Sequence, residues 1–173
     1  MSYSVTEIQT LAQKAARGAG FPPSQAEAFG RAAALHLAEG GAPEVLLAGL
    51  ATPGDSPILR LPLLMDDILR AREALGNEVT LSLHGDDGQL APVYARALPL
   101  GLRGIDIEEI AGEPSKLHIT LDPEARTPCK LPPRVDAPQA LIDRLNDLAA
   151  RTYVPATEES RLKGAGAGLT DND

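Results

Sequence analysis

The stretch Gly104–Asp122 constrains this chain most, because apolar residues recur at every second position on both sides of a turn. Ile105 and Ile107 alternate with Asp106 and Glu108; Leu117, Ile119 and Leu121 alternate with His118 and Thr120. A period of two marks a strand with one buried face and one wet face. Gly112-Glu-Pro-Ser115 lies between the runs and is turn chemistry, so strands over 104–110 and 116–121 are predicted to form an antiparallel hairpin. Val79–His84 alternates in the same way and predicts another strand over 79–84. The apolar face of such a sheet needs cover, and most of the remaining chain reads as helix.

Ser4 and Glu7 form a capping-box pattern ahead of the stripe Val5, Ile8, Leu11, Ala12 and Ala15, which predicts a helix over 5–17. Ser24 and Glu27 repeat the pattern and predict a helix over 24–38. Pro43 suits the first turn of a short helix through Val45, Leu46, Leu47 and Leu50. Thr52–Pro57 reads as a loop, and Pro62 as the start of a helix over 63–75. Pro92–Leu98 reads as a short helix that Pro99 and Gly101 cut off. The five prolines from Asp122 to Pro138 predict an irregular surface loop. Asp136 and Gln139 then cap a helix over 138–150 with Leu141, Ile142, Leu145 and Leu148 inward. The expected class is α+β: a small antiparallel sheet of three or more strands covered by about five helices. Residues 1–151 read as a single α+β domain and 152–173 as a glycine-rich tail.

A chain of 173 residues buries enough surface to need no metal or disulfide staple. The net charge of −8, without a clustered basic stripe, argues against nucleic acid and anionic membrane surfaces as partners. There is no Trp and there are only two Phe, which leaves few aromatic platforms for bases or sugars. The single cysteine, Cys129, excludes an internal disulfide and suits a reducing compartment. The N-terminus lacks a basic region followed by an apolar run, and no apolar stretch approaches the ~18 residues of a membrane span. The expected location is the cytoplasm.

The run Leu11–Phe29 resembles the N-terminal helix pair of the non-Rossmann, NAD-dependent malate/L-lactate dehydrogenases. That family follows its second helix with an Asp-Ser-His-Gly motif bearing a catalytic histidine. Here the matching stretch is Leu37-Ala-Glu-Gly-Gly41, so the resemblance implies no transfer of the activity. As a whole the sequence, and its ending Ser160–Asp173 above all, resembles a bacterial family known as a domain of unknown function. That resemblance implies no activity and no cofactor.

The polar faces of the expected strands carry Thr80, Ser82 and His84; Asp106 and Glu108; His118 and Thr120. Two histidines with carboxylates on one face are able to bind a divalent metal or run acid–base chemistry. Such residues also populate the solvated face of any antiparallel sheet, and no tight His-x-x-x-His spacing points to a metal. Cys129, next to Lys130, is either a thiolate nucleophile or an inert thiol. His36, among the alanines of the second helix, reads as structural or surface-facing. Arg161 and Lys163 precede Gly164, Gly166 and Gly168, whose amides can cradle a carboxylate or phosphate if the tail is ordered against the domain or a second subunit. Composition alone reads the same segment as a mobile tail. The expected function is a non-catalytic oligomerising or partner-binding module, a homo-oligomer or the accessory of a metabolic enzyme. The alternative is a small-molecule binder or enzyme using His84 and His118 with the tail.

Overall fold

The computed structural model describes residues 1–98, 100–125 and 130–152. In chain order its elements are β1 (Ser2–Ser4), α1 (Val5–Ala19), α2 (Pro23–Ala38), α3 (Pro43–Ala51), α4 (Pro57–Leu75) and β2 (Glu78–Ser82). A 3-10 turn (Gly85–Gln89) leads to α5 (Ala91–Arg96), β3 (Gly101–Glu108), β4 (Lys116–Asp122), β5 (Arg134–Asp136) and α6 (Gln139–Ala150). The class is α+β, with two small antiparallel sheets of two and three strands.

The alternating runs pair as their periodicity predicts. β3 and β4 form the hairpin, and β2 adds antiparallel to the other edge of β4, giving the order β2-β4-β3. Val79, Ile119 and Ile105 stand opposite one another across the sheet, as do Leu81, Leu117 and Ile107. Leu117, Ile119 and Leu121 are buried along with Val79 of β2, so the central strand carries most of the sheet's share of the core. The ladder of β2 ends at Ser82, and His84 instead caps the 3-10 turn.

The helical layer rests on small residues. Ala12, Ala15 and Ala16 of α1 are fully buried between α2 and α6. A Cβ at Gly30 would lie 2.6 Å from the Gln9 carbonyl oxygen, and one at Gly18 would collide with the Leu148 carbonyl. Both glycines let α1 approach its neighbours backbone to backbone. The Ser4–Glu7 capping box forms as expected: the Glu7 amide donates to Ser4 Oγ at 3.2 Å, and the Ser4 amide to the Glu7 carboxylate at 2.7 Å. That backbone hydrogen bond from Ser4 is the main reason the Glu7 pKa is lowered.

The structure corrects four local expectations. Ser24 does not cap α2: Pro23 presets the first helical turn, Pro22 is the cap residue, and Ser24 Oγ donates to Gln25 Oε1 at 2.7 Å. α4 begins at Pro57, not beyond Pro62. Ser56 Oγ accepts from the Ile58 amide at 3.1 Å and donates to the Gly49 carbonyl at 2.5 Å, tying α3 to the start of α4. Pro62 then sits inside the helix at a penalty of ~3 kcal/mol. Ile58 and Leu61, both fully buried, offset it at about 1.5–3 kcal/mol each. The proline-rich segment is not wholly irregular, because Arg134–Asp136 pairs antiparallel with Ser2–Ser4. Asp136 therefore stands in a strand opposite Ser2, and Pro138, not Asp136, caps α6.

Candidate functional site

The polar face of the three-stranded sheet assembles several of the candidate residues. Register puts Thr80, His118 and Asp106 in one cross-strand row and Ser82, Lys116 and Glu108 in the next. His118 Nε2 lies 2.9 Å from Glu108 Oε2, and His118 Nδ1 lies 3.0 Å from Thr80 Oγ1. The carboxylate can only accept, so Nε2–H donates to Glu108, and in the neutral ring Nδ1 accepts from the Thr80 hydroxyl. This hydroxyl–imidazole–carboxylate chain is the connectivity of a base-activated nucleophile. It sits on an open face, however, with the His118 and Glu108 side chains 39% and 49% exposed. Water screens such a chain and competes for its hydrogen bonds, so the array does little more than the polar face of an ordinary sheet.

His84 is not part of that row. It lines a separate cleft of about 210 Å3 between α3, the start of α4 and the 3-10 turn. Arg60 also faces this cleft and is held by two carboxylates: Nε donates to Asp87 Oδ2 at 3.0 Å, Nη2 to Asp87 Oδ1 at 2.7 Å, and Nη1 to Asp55. Hydrogen bonding to the buried Asp87 raises the Arg60 pKa further, and the two carboxylates already balance its charge. The ion pair is a clamp between α4 and the turn.

His36 is buried, and its Nε2–H donates to the Ala42 carbonyl at 2.9 Å, closing the turn after α2. It is structural. Cys129, Arg161, Gly164 and Gly166 lie outside the described residues. Among the described residues, no group of three or more His, Cys, Asp or Glu side chains is placed to hold a metal ion. No described helix is long and apolar enough to cross a membrane.

A further groove is one the sequence did not single out. A groove of about 340 Å3 runs between α2 and α4, with the end of α5 as its floor. Its apolar surface comes from Ala28, Leu63, Met65, Leu69 and Leu98, and Glu27, Arg31 and Asp66 also line it. Tyr94 belongs to this floor and is 4% exposed. Its hydroxyl oxygen is buried without a hydrogen-bond partner among the described residues. An orphan polar atom of this kind costs the fold about 1–3 kcal/mol.

Burial raises the Tyr94 pKa, and nearby Arg31 pulls weakly the other way. The hydroxyl therefore stays a donor at neutral pH. The sign of the linkage gives a prediction. The unfolded chain releases this proton first, near pH 10.0, so the stability contributed by keeping Tyr94 protonated is complete below that value and is lost as pH rises through the folded pKa. Tyr94→Phe is expected to match or exceed wild-type stability at about pH 8 and to lose less than wild type toward about pH 11. Urea melts check this; a stability difference that stays constant over that range would place Tyr94 in contact with solvent.

Comparison with protein-family models, curated proteins and solved structures found no match to this chain.

Proposed function

We propose that the chain is a non-catalytic, cytoplasmic binding module that takes a small, largely apolar molecule into the groove between α2, α4 and α5. The observation that supports this is the groove itself, a space of about 340 Å3 lined by Ala28, Leu63, Met65, Leu69 and Leu98 together with Glu27, Arg31 and Asp66. That size falls within the range of small-ligand sites, which are mostly apolar with a few placed polar groups. The sheet-face array supports the catalytic alternative less well, because a half-exposed imidazole has no enclosed space in which to hold a reacting group.

A thermal-shift panel of small aliphatic and aromatic alcohols, esters, acids and amines tests the reading. A ligand at about 100 times its dissociation constant adds ~2.7 kcal/mol to stability. Ala97→Trp, at an exposed position lining the groove, should abolish the shift by filling the space. A panel without shifts, or shifts that survive Ala97→Trp, would overturn the proposal.

A second reading keeps the expected self-association. Leu63 on the groove is 55% exposed, and an apolar side chain from a second copy would cover it. Light scattering separates the two, since a monomeric mass at all concentrations is incompatible with self-association.

A further inference from the structure

Resting on the groove reading, we infer that the molecule held between α2 and α4 is a small aliphatic amine, bound as its ammonium ion. The lining carries three ionic side chains: Glu27 and Arg31 from the α2 wall and Asp66 from the α4 wall. Arg31 Nη1 donates to Glu27 Oε1 at 2.7 Å, so those two charges offset each other. Asp66 has no ion pair among the described residues. The basic residue nearest to it along α4, Arg70, pairs with Asp67 at 3.8 Å. The groove is therefore left with one carboxylate in excess beside apolar surface from Leu63, Leu69 and Leu98.

That combination discriminates among molecules with the same alkyl body. Each of them covers the leucines equally well, and burying that body supplies the shared part of the binding free energy. An ammonium group brings three donors and no acceptor, so it meets a carboxylate with opposite charge and complementary hydrogen bonding. An alcohol brings no charge, and a carboxylate sets like charge beside Asp66. Asp66 is exposed, so water screens its contact with the ammonium. The preference for the amine over the alcohol is accordingly about two- to fivefold, the range of an exposed ion pair. The net charge of −8 draws cations to the whole surface, so the decisive comparison is between variants that differ at the groove alone.

Titration of the full chain with hexylamine, hexanol and hexanoate at about pH 7, followed by backbone amide chemical shifts, tests the inference; an alkylamine is ionised there, as a lysine side chain is. Hexylamine is expected to bind most tightly and hexanoate most weakly, with the shifts centred on α2 and α4. Asp66→Asn should erase the advantage of hexylamine and leave hexanol unchanged. Arg31→Gln, which leaves Glu27 without its partner, should tighten hexylamine and again leave hexanol unchanged. Hexanol or hexanoate binding as tightly as hexylamine, or a hexylamine advantage that survives Asp66→Asn, overturns the amine inference and leaves the groove reading standing. If none of the three shifts the α2 and α4 amides, the groove reading falls and this inference falls with it.

Discussion

Replacing Arg60 with methionine is expected to destabilise the fold by about 3–5 kcal/mol, the range for leaving one member of a buried ion pair without its partner. Both Asp87 oxygens accept from Arg60, at 2.7 and 3.0 Å, and Asp87 is only 3% exposed. Methionine keeps much of the side-chain volume but leaves the buried Asp87 carboxylate without its main countercharge. The second variant, Arg60→Met with Asp87→Leu, should recover most of the loss, because removing both charges removes the desolvation cost as well. Asp55→Asn is the control. Asp55 is 73% exposed, so its share of Arg60 is screened and contributes at most about 1 kcal/mol. Urea melts of the three variants decide; a loss below about 1 kcal/mol for Arg60→Met would mean that Asp87 reaches water. The effect matters for the groove too, because the same α4 that carries Arg60 contributes Leu63, Met65 and Leu69 to its wall.

That clamp and the groove were illegible in the sequence for a common physical reason. Arg60 and Asp87 are 27 positions apart, on a helix and a 3-10 turn, and neither segment carries a pattern that announces the other. Tyr94 reads as one more residue in an alanine-rich segment until α2 and α4 form walls beside it. The β1–β5 ladder was hidden in the same way, since Ser2 and Asp136 pair from opposite ends of the described chain and strands this short leave no periodicity. Pro62 misled for a different reason. A proline near a helix start is the commoner case, and only the burial of Ile58 and Leu61 lets the helix run through it.

Local signals were legible where one side chain reports directly on burial. The Ser4–Glu7 box needs only four consecutive residues and formed as its spacing predicts. The alternation through β3 and β4 sorted apolar from polar residues onto the correct faces. The same alternation overreached at His84, because it continues in the sequence for two residues after the β2 ladder stops. Asp106 and His118 share a row because register follows from the hairpin, and Thr80 joins them through the separate β2–β4 pairing. Their exposure, which weakens the catalytic alternative, follows from what does not pack over that face, and no local pattern encodes it.

Ile119→Ala tests the sheet assignment at its centre and is expected to cost about 2–5 kcal/mol, the range for truncating a buried isoleucine. Ile119 is 2% exposed, in the middle of the central strand, with Val79 on one side and Ile105 on the other. Three β-branched side chains in one row leave no flexible neighbour to collapse into the space, which favours the upper part of that range. The adjacent position gives the contrast. Thr120 points to the polar face between Glu78 and Gly104, so Thr120→Ala should change stability by less than about 0.5 kcal/mol. Because strand side chains alternate, a register error of one residue would exchange the two results. Denaturant melts that found Ile119→Ala below about half a kcal/mol and Thr120→Ala in the cavity range would reverse the faces of the sheet. The helical layer would then have to cover Thr80, His118 and Glu108, and their open chain of hydrogen bonds would become a buried one.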